Sequence, residues 1–249
     1  MTKLSAVIIT KNEEQVIEKA LQSVSFCDEI VVVDNSSTDK TVEIAKKNNA
    51  KVFSFTSSDF AKSRNYALEH VTSDWILYVD ADERVTTQLA ESIKNIISED
   101  SNYSAFIIKR KNFYLGKYLW PKVELLERLF KKSKLKGWYG VLHESPKVDG
   151  KIGILDGYLE HYTHRDLSFM LAKTISWSKT EAKLRYKANH PKMIWWRFPR
   201  VMIPTFFEYY VKQKGFRLGT VGLIESMYQM FSIFLTYARL WELQNNDNK

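Results

Sequence analysis

The residues best suited to chemistry are the acids of Tyr78-Val79-Asp80-Ala81-Asp82. An apolar run delivers two carboxylates, one residue apart, where a strand should end. In parallel α/β sheets, ligands gather at the carboxyl ends of the strands. Two carboxylates there can hold a hard divalent ion, Mg2+ or Mn2+, that bridges phosphate oxygens. Taken alone, the pair could equally cap the next helix. Glu29-Ile30-Val31-Val32-Val33-Asp34 also ends in an acid, able to accept from a base N–H or a ribose hydroxyl. Asp34-Asn35-Ser36-Ser37 also reads as a solvated turn. Ala6-Val7-Ile8-Ile9 runs into Thr10-Lys11-Asn12-Glu13, a third polar tip. Three such tips argue for one crevice rather than three separate caps. Arg64 lies early in a helix leading to the Asp80 strand, where a guanidinium can clamp a diphosphate.

The elements that must position these groups alternate between two periods. Short β-branched runs at 6–9, 29–34, 51–55 and 75–80 read as strands. Apolar residues at helical spacing mark helices over 13–24, from the Ser36–Asp39 capping cluster onward, over 60–70 and over 86–97. Apolar strands separated by helices predict a mainly parallel sheet covered on both faces. Further strands at 105–110, 125–131 and 155–161 predict an extension with antiparallel members. From Asp166 the chain reads as helical: one long helix to Lys187, short pieces broken at Pro191, Pro199 and Pro204, and a last helix over 219–241.

Four segments, in order and spacing, resemble family 2 glycosyltransferases of the GT-A fold: Val7–Glu13, Glu29–Asp39, Ser63-Arg64-Asn65 and Asp80-Ala81-Asp82. The resemblance covers about residues 4–100. It implies a Rossmann-like α/β fold, an NDP-sugar donor with a UDP-sugar first among the candidates, a divalent metal at Asp-x-Asp, and inversion at the anomeric carbon. By the same resemblance Thr10 and Glu13 lie near the nucleoside, Asp34 contacts base or ribose, Arg64 lies near the nucleotide, Asp80 sits near the ribose, and Asp82 is the main metal ligand, helped by Asp80. Many relatives carry a second Asp where this chain has Asn35.

Inversion requires a general base for the acceptor hydroxyl. The Glu-Asp pair that many relatives use is missing. Arg128-Leu129-Phe130, followed by His143-Glu144, is similar to a subset of bacterial family 2 enzymes that build lipopolysaccharide cores. Glu144 is the expected base, with His143 orienting it or binding acceptor; both could instead be structural. His161, after a later strand, is a candidate to complete the metal shell. Cys27 reads as packing.

Composition narrows the rest. The 249 residues, 45% hydrophobic and 27% charged, describe a folded chain. One cysteine excludes an intrachain disulfide and a multi-Cys zinc cluster. The Leu4–Thr10 apolar run is too short for a signal peptide, so a cytoplasmic location is expected. Residues 1–164 hold 23 Lys/Arg and 23 Asp/Glu, whereas 165–249 hold 14 and 6. The expected division is a catalytic domain over 1–164 (nucleotide-sugar binding over 1–100, acceptor part over 101–164) and a docking region over 165–249. The basic, aromatic second region fits the inner membrane surface, and with it a saccharide or lipid-linked acceptor in cell-envelope glycan synthesis. Its helices could also join copies of the chain; no nucleic-acid motif accompanies them. Two alternatives are a nucleotidyltransferase, for which the Gly- and Lys-rich phosphate loop is missing, and an inactive membrane-associated scaffold.

Overall fold

The computed structural model describes residues 2–99, 102–141 and 144–246. The chain forms two compact units. One comprises Met1–Lys111 and Val123–His161, the other Asn112–Lys122 and Tyr162–Lys249.

The first unit is built on an eight-stranded sheet. Its strands are β1 (Leu4–Thr10), β2 (Glu29–Asp34), β3 (Lys51–Ser54), β4 (Trp75–Asp80), β5 (Glu83–Val85), β6 (Tyr103–Tyr114), β7 (Tyr118–Lys131) and β10 (Lys151–His161), ordered β3-β2-β1-β4-β7-β6-β10-β5. Strands β3, β2, β1 and β4 run parallel, while β7 is antiparallel to β4, and β5 to β10. This is the mainly parallel sheet with an antiparallel extension that the apolar runs imply. A separate pair, β8 (Leu135–Tyr139) and β9 (Ser145–Val148), is antiparallel.

The period of two along each strand makes two cores. Ala6, Ile8, Val32, Leu77 and Val79 face one way and pack with Ile17, Ala20 and Leu21 of α1 (Ile17–Ser23) and Leu89 and Ile93 of α4 (Thr87–Ser98). Val7, Val31, Val33, Ile76 and Tyr78 face the other way, against Ala61 and Ala67 of α3 (Phe60–His70) and against Phe130 and Trp138. Burial on both faces explains why these strands are apolar throughout. Register brings their tips level: Thr10 pairs with Asp34, and Ile9 with Asp80.

Local chemistry moves several boundaries. The helix expected over 13–24 begins only at Ile17, because Glu13 closes a turn with its carbonyl accepting from Val16 and Ile17 N–H. The Ser36–Asp39 cluster caps α2 (Thr41–Lys47) indirectly. The preceding Lys40 gives no side-chain cap, and Asp39 accepts from the Thr41 amide at 3.0 Å. Strands β5, β8 and β9 lie outside the expected set; each is too short to show a period. Strands β6 and β7 outrun their apolar segments, and several of their charged residues prove to be paired.

In the second unit α5 (Leu167–Lys187) is capped by Asp166, whose carboxylate accepts from Phe169 N–H at 2.8 Å, and α5 packs on α7 (Thr220–Asn246). The expected breaks at Pro199 and Pro204 do not occur: α6 (Arg197–Phe207) contains both. Pro199 occupies the first turn, where an N–H has no helical partner to lose. Pro204 removes one interior donor, and a π-helical turn over Glu208–Lys212 follows. Gly222 lets α7 close on the carbonyl of Gly215; a Cβ there would lie 1.8 Å from that oxygen. Among the described residues no helix is long and apolar enough to cross a membrane.

Glu29, buried at the start of β2, ties the parallel strands together. It takes hydrogen bonds from Ser5 of β1, from Thr72 N–H at 3.1 Å and from Lys51 of β3 at 2.7 Å. Burial opposes its charge, but the bonds from Lys51, Ser5 and Thr72 outweigh it and bring its pKa from 4.5 down to about 2. A depressed carboxyl pKa stabilises the fold above the unfolded value, and that stability is lost as pH falls through the folded one. We expect urea stability to fall as pH drops from about 4.5 to about 2. Glu29→Gln should remove about 2 kcal/mol of that dependence, less than the nominal shift because Lys51 is 60% exposed and screened. Equal slopes for wild type and variant would refute the assignment.

Candidate active site

The C-terminal ends of β1, β2 and β4 carry the polar groups singled out above. Thr10 and Asp34 are both buried there. Asp34 Oδ2 accepts from Ser37 N–H at 3.0 Å, while its Oδ1 and Thr10 Oγ1 are buried without a partner among the described residues. Buried polar atoms are nearly always satisfied, so two adjacent orphans at a strand edge suit an incoming ligand. Glu13 follows in the β1 loop, its amide donating to Thr41 Oγ1 at 2.8 Å. Asn35 is engaged elsewhere: its side chain donates to Ser57 O at 2.7 Å and accepts from Ser57 N–H at 3.0 Å. An Asp there could not make the first of these bonds.

Arg64 projects from α3 into the protein and is 4% exposed, which excludes a surface arginine. Its Nη2 donates to Asp80 Oδ1 and its Nε to Glu144 Oε1, both at 2.9 Å, and its Nη1 is buried with no partner among the described residues. The guanidinium lies over the Trp138 ring at 4.7 Å. Neighbouring Asn65 fixes that tryptophan, donating to Trp138 O at 2.9 Å and accepting from Trp138 N–H at 2.8 Å. Arg64 is therefore less an open clamp than a strut. It joins the Asp-x-Asp turn to Glu144 and leaves one nitrogen for a ligand.

Asp80 is held from behind as well. Arg128 of β7 donates to Asp80 Oδ2 at 2.7 Å, and Arg110 Nη1 of β6 lies 3.9 Å from the same oxygen. Burial works against the Asp80 charge, but Arg128, Arg64 and Arg110 outweigh it and hold the carboxyl far below the usual carboxylate range, although 31% of the side chain is exposed. Beneath lies Glu83, 0% exposed. It accepts from the Asp80 amide at 3.0 Å, from Arg110 at 2.8 Å and from Arg128 at 3.3 Å. Glu124 of β7 completes the set on Arg110 Nε at 2.9 Å.

The structure brings Asp82 together with His161, Oδ2 to Nε2 at 3.3 Å. Two adjacent ligands of an octahedral ion at about 2.1 Å would stand about 3 Å apart, so the pair fits a divalent cation. Both Asp80 oxygens accept from arginines, Oδ1 from Arg64 and Oδ2 from Arg128. Among the described residues no group of three or more metal-ligating side chains gathers. His143 lies outside the described residues. A hollow of about 710 Å3 beside Ser73, Trp75 and Lys132 lies at the opposite end of β4 and has none of these features.

Sequence reasoning passed over Glu83, Arg110, Glu124 and Trp138, and it quoted Arg128 without a role. The available signal was charge inside otherwise apolar strands, as at Arg110 and Arg128, since a buried charge needs a partner.

A parallel sheet with an acidic, arginine-backed carboxyl edge and an antiparallel extension defines a GT-A glycosyltransferase. The glycosyl transferase family 2 model matches residues 5–148, and the chain belongs to that family. It is 32% identical to an uncharacterized glycosyltransferase of Rickettsia typhi over 98% of this chain and 88% of the relative. It is 26% identical to the lipopolysaccharide core biosynthesis glycosyltransferase LpsC of Rhizobium meliloti, over 96% and 92%. Among solved structures, the mannosyltransferase PcManGT of Pyrobaculum calidifontis, in complex with GDP-Man and Mn2+, has 16% identity, a TM-score of 0.56 and coverage of 96% and 87%. S. aureus TarS 1-349 in complex with UDP-GlcNAc has 17% identity, a TM-score of 0.51 and coverage of 99% and 92%. Both share the fold.

Glu83→Ala would remove the buried carboxylate that Arg110 and Arg128 share and that accepts from the Asp80 amide, leaving Arg110 with Glu124 and Arg128 with Asp80. We expect it to lose about 3–5 kcal/mol in chemical denaturation. A loss under about 1 kcal/mol would show that the network is not the support described.

Proposed function

We propose that the protein is a metal-dependent, inverting glycosyltransferase that moves a sugar from an NDP-sugar, a UDP-sugar first among the candidates, to a saccharide or lipid-linked acceptor in cell-envelope glycan synthesis. It would work at the inner face of the membrane. The observation that carries this reading is the polar carboxyl edge shared by β1, β2 and β4, where Thr10 pairs with Asp34 and Ile9 with Asp80, with buried atoms on Thr10, Asp34 and Arg64 that have no partner among the described residues.

Thr10 and Asp34 bind the nucleoside, and Glu13 borders it. Asp80, kept ionised by its arginines, meets the ribose. Asp82 and His161 hold Mg2+ or Mn2+, which when bound neutralises diphosphate charge. The free Nη1 of Arg64 adds a fixed positive charge beside the leaving group. Glu144 takes the proton from the acceptor hydroxyl, whose oxygen forms the new bond to the anomeric carbon. The old glycosyl–phosphate bond breaks, and its electron pair leaves with the nucleoside diphosphate. Arg64 positions the base, since the Nε bond to Glu144 fixes the carboxylate. His143 binds or orients acceptor next to it. The resemblance to lipopolysaccharide-core enzymes and the LpsC relative support the acceptor class.

Asp82→Ala should abolish the gain in UDP affinity that Mn2+ gives wild type, as measured by calorimetry; an unchanged gain would reject the metal assignment. Glu144→Gln should lower kcat about 10²–10⁴-fold with donor affinity within a few-fold of wild type. Unchanged turnover would reject the base.

A further inference from the structure

Helix α7 buries Leu240 in a small apolar cluster near its end, but many of its other buried positions are polar, among them Glu225, Ser226, Tyr228, Thr236 and Tyr237, whereas Leu223, Met227, Phe231, Phe234 and Trp241 are exposed. Those five follow at steps of four, four, three and seven residues, which keeps them within a stripe of about 100°. A surface helix in water turns its apolar stripe inward.

Rotation cannot relieve the inversion, because the polar side is engaged. Glu225 Oε2 meets His164 Nδ1 at 3.0 Å, and Glu225 Oε1 accepts from Gln229 at 2.7 Å. Tyr228 donates to Met170 O at 2.9 Å, and Tyr237 accepts from Arg185 at 3.1 Å. Helix α5 shares part of the pattern: Thr174 and Ser178 are buried beside Met170 and Ala182, while Leu167, Leu171 and Ile175 are exposed. Polar side chains inside and apolar ones outside suit a helix whose outer neighbour is not water.

The chain before α7 supplies the charge. Residues 190–217 hold six Lys/Arg against one acid, Glu208, which lies 3.3 Å from Lys212. Trp195 is 82% exposed. Arg197 and Arg200 lie 5.3 and 5.9 Å from the Trp196 ring, and Phe198 meets Phe234 of the outward stripe at 5.7 Å. Cations beside interfacial tryptophans match anionic headgroups over an apolar layer. A second copy would bring the same positive charge against itself.

We propose that the outward stripe of α7, with the adjoining 194–217 segment, docks on a bilayer rich in anionic phospholipid, lying in the headgroup layer without crossing it. This deepens the membrane part of the proposed function, yet docking needs neither donor nor metal.

Flotation of the full chain with vesicles of equal parts phosphatidylglycerol and phosphatidylcholine tests it. Wild type should float, and phosphatidylcholine alone or high salt should release it. Arg200→Gln with Arg217→Gln should weaken partitioning about 30-fold, and Trp195→Ala with Trp196→Ala about tenfold. Both pairs should keep the wild-type thermal transition. Absence of flotation by folded wild type overturns the proposal, as does unchanged flotation by both double variants, or a dimer by sedimentation that binds no vesicle. UDP binding in Mn2+, measured on the same samples, keeps failure of docking distinct from failure of the transferase reading.

Discussion

Three guanidinium groups buried behind an acidic strand edge are the condition on which the site depends. Asp80, Glu83 and Glu144 would repel one another, and would repel any phosphate, if left unneutralised in a partly desolvated crevice. Removing ions from water costs several kcal/mol apiece, and only close pairing recovers it. Arg64, Arg110 and Arg128 supply that pairing from three elements, α3, β6 and β7. The antiparallel half of the sheet therefore does more than cover an edge: it delivers the positive charge that allows the parallel half to end in carboxylates.

This arrangement divides labour between neighbouring acids. Asp80 has both oxygens engaged by arginines and its amide tied to Glu83, so it is a fixed, ionised group. Asp82, two residues on, faces His161 instead. Fixing the first acid rigidly sets where the second can point, and preorganisation of that kind lowers the cost of binding a charged ligand. The same strut reaches Glu144 through Arg64, so Asp80 and Glu144 are tied to one guanidinium group. Trp138 and Asn65 hold Arg64 itself in place.

The second unit follows another logic. Its helices satisfy polar groups against one another and present aliphatic and aromatic side chains outward. An apolar cluster of Ala182, Met193, Tyr237 and Leu240 remains between them. Hydrogen bonds such as Tyr228 to Met170 O and the close approach of Gly222 to Gly215 add to it.

The parallel half of the fold was legible in the sequence because strands buried on both faces must be apolar throughout, and their polar tips then stand out. Asp34, Asp80 and Thr10 were identifiable for that reason, and the ends of β2, α3 and β4 match the expected limits. Helix starts were less so, since Glu13 and Asp39 cap through contacts that a linear motif does not show. Pro199 failed as a breaker because it occupies the first turn of α6, where no helical donor is lost, whereas Pro204 is carried inside the helix ahead of a π-helical turn. The partners of Asp80 lie 16, 30 and 48 residues away along the chain. A charge inside an apolar strand says that Arg110 and Arg128 need partners, but nothing local says which. Only the sheet order, which sets β7 beside β4 and β6 beyond it, decided which arginine meets which acid, because electrostatic pairing depends on distance in space.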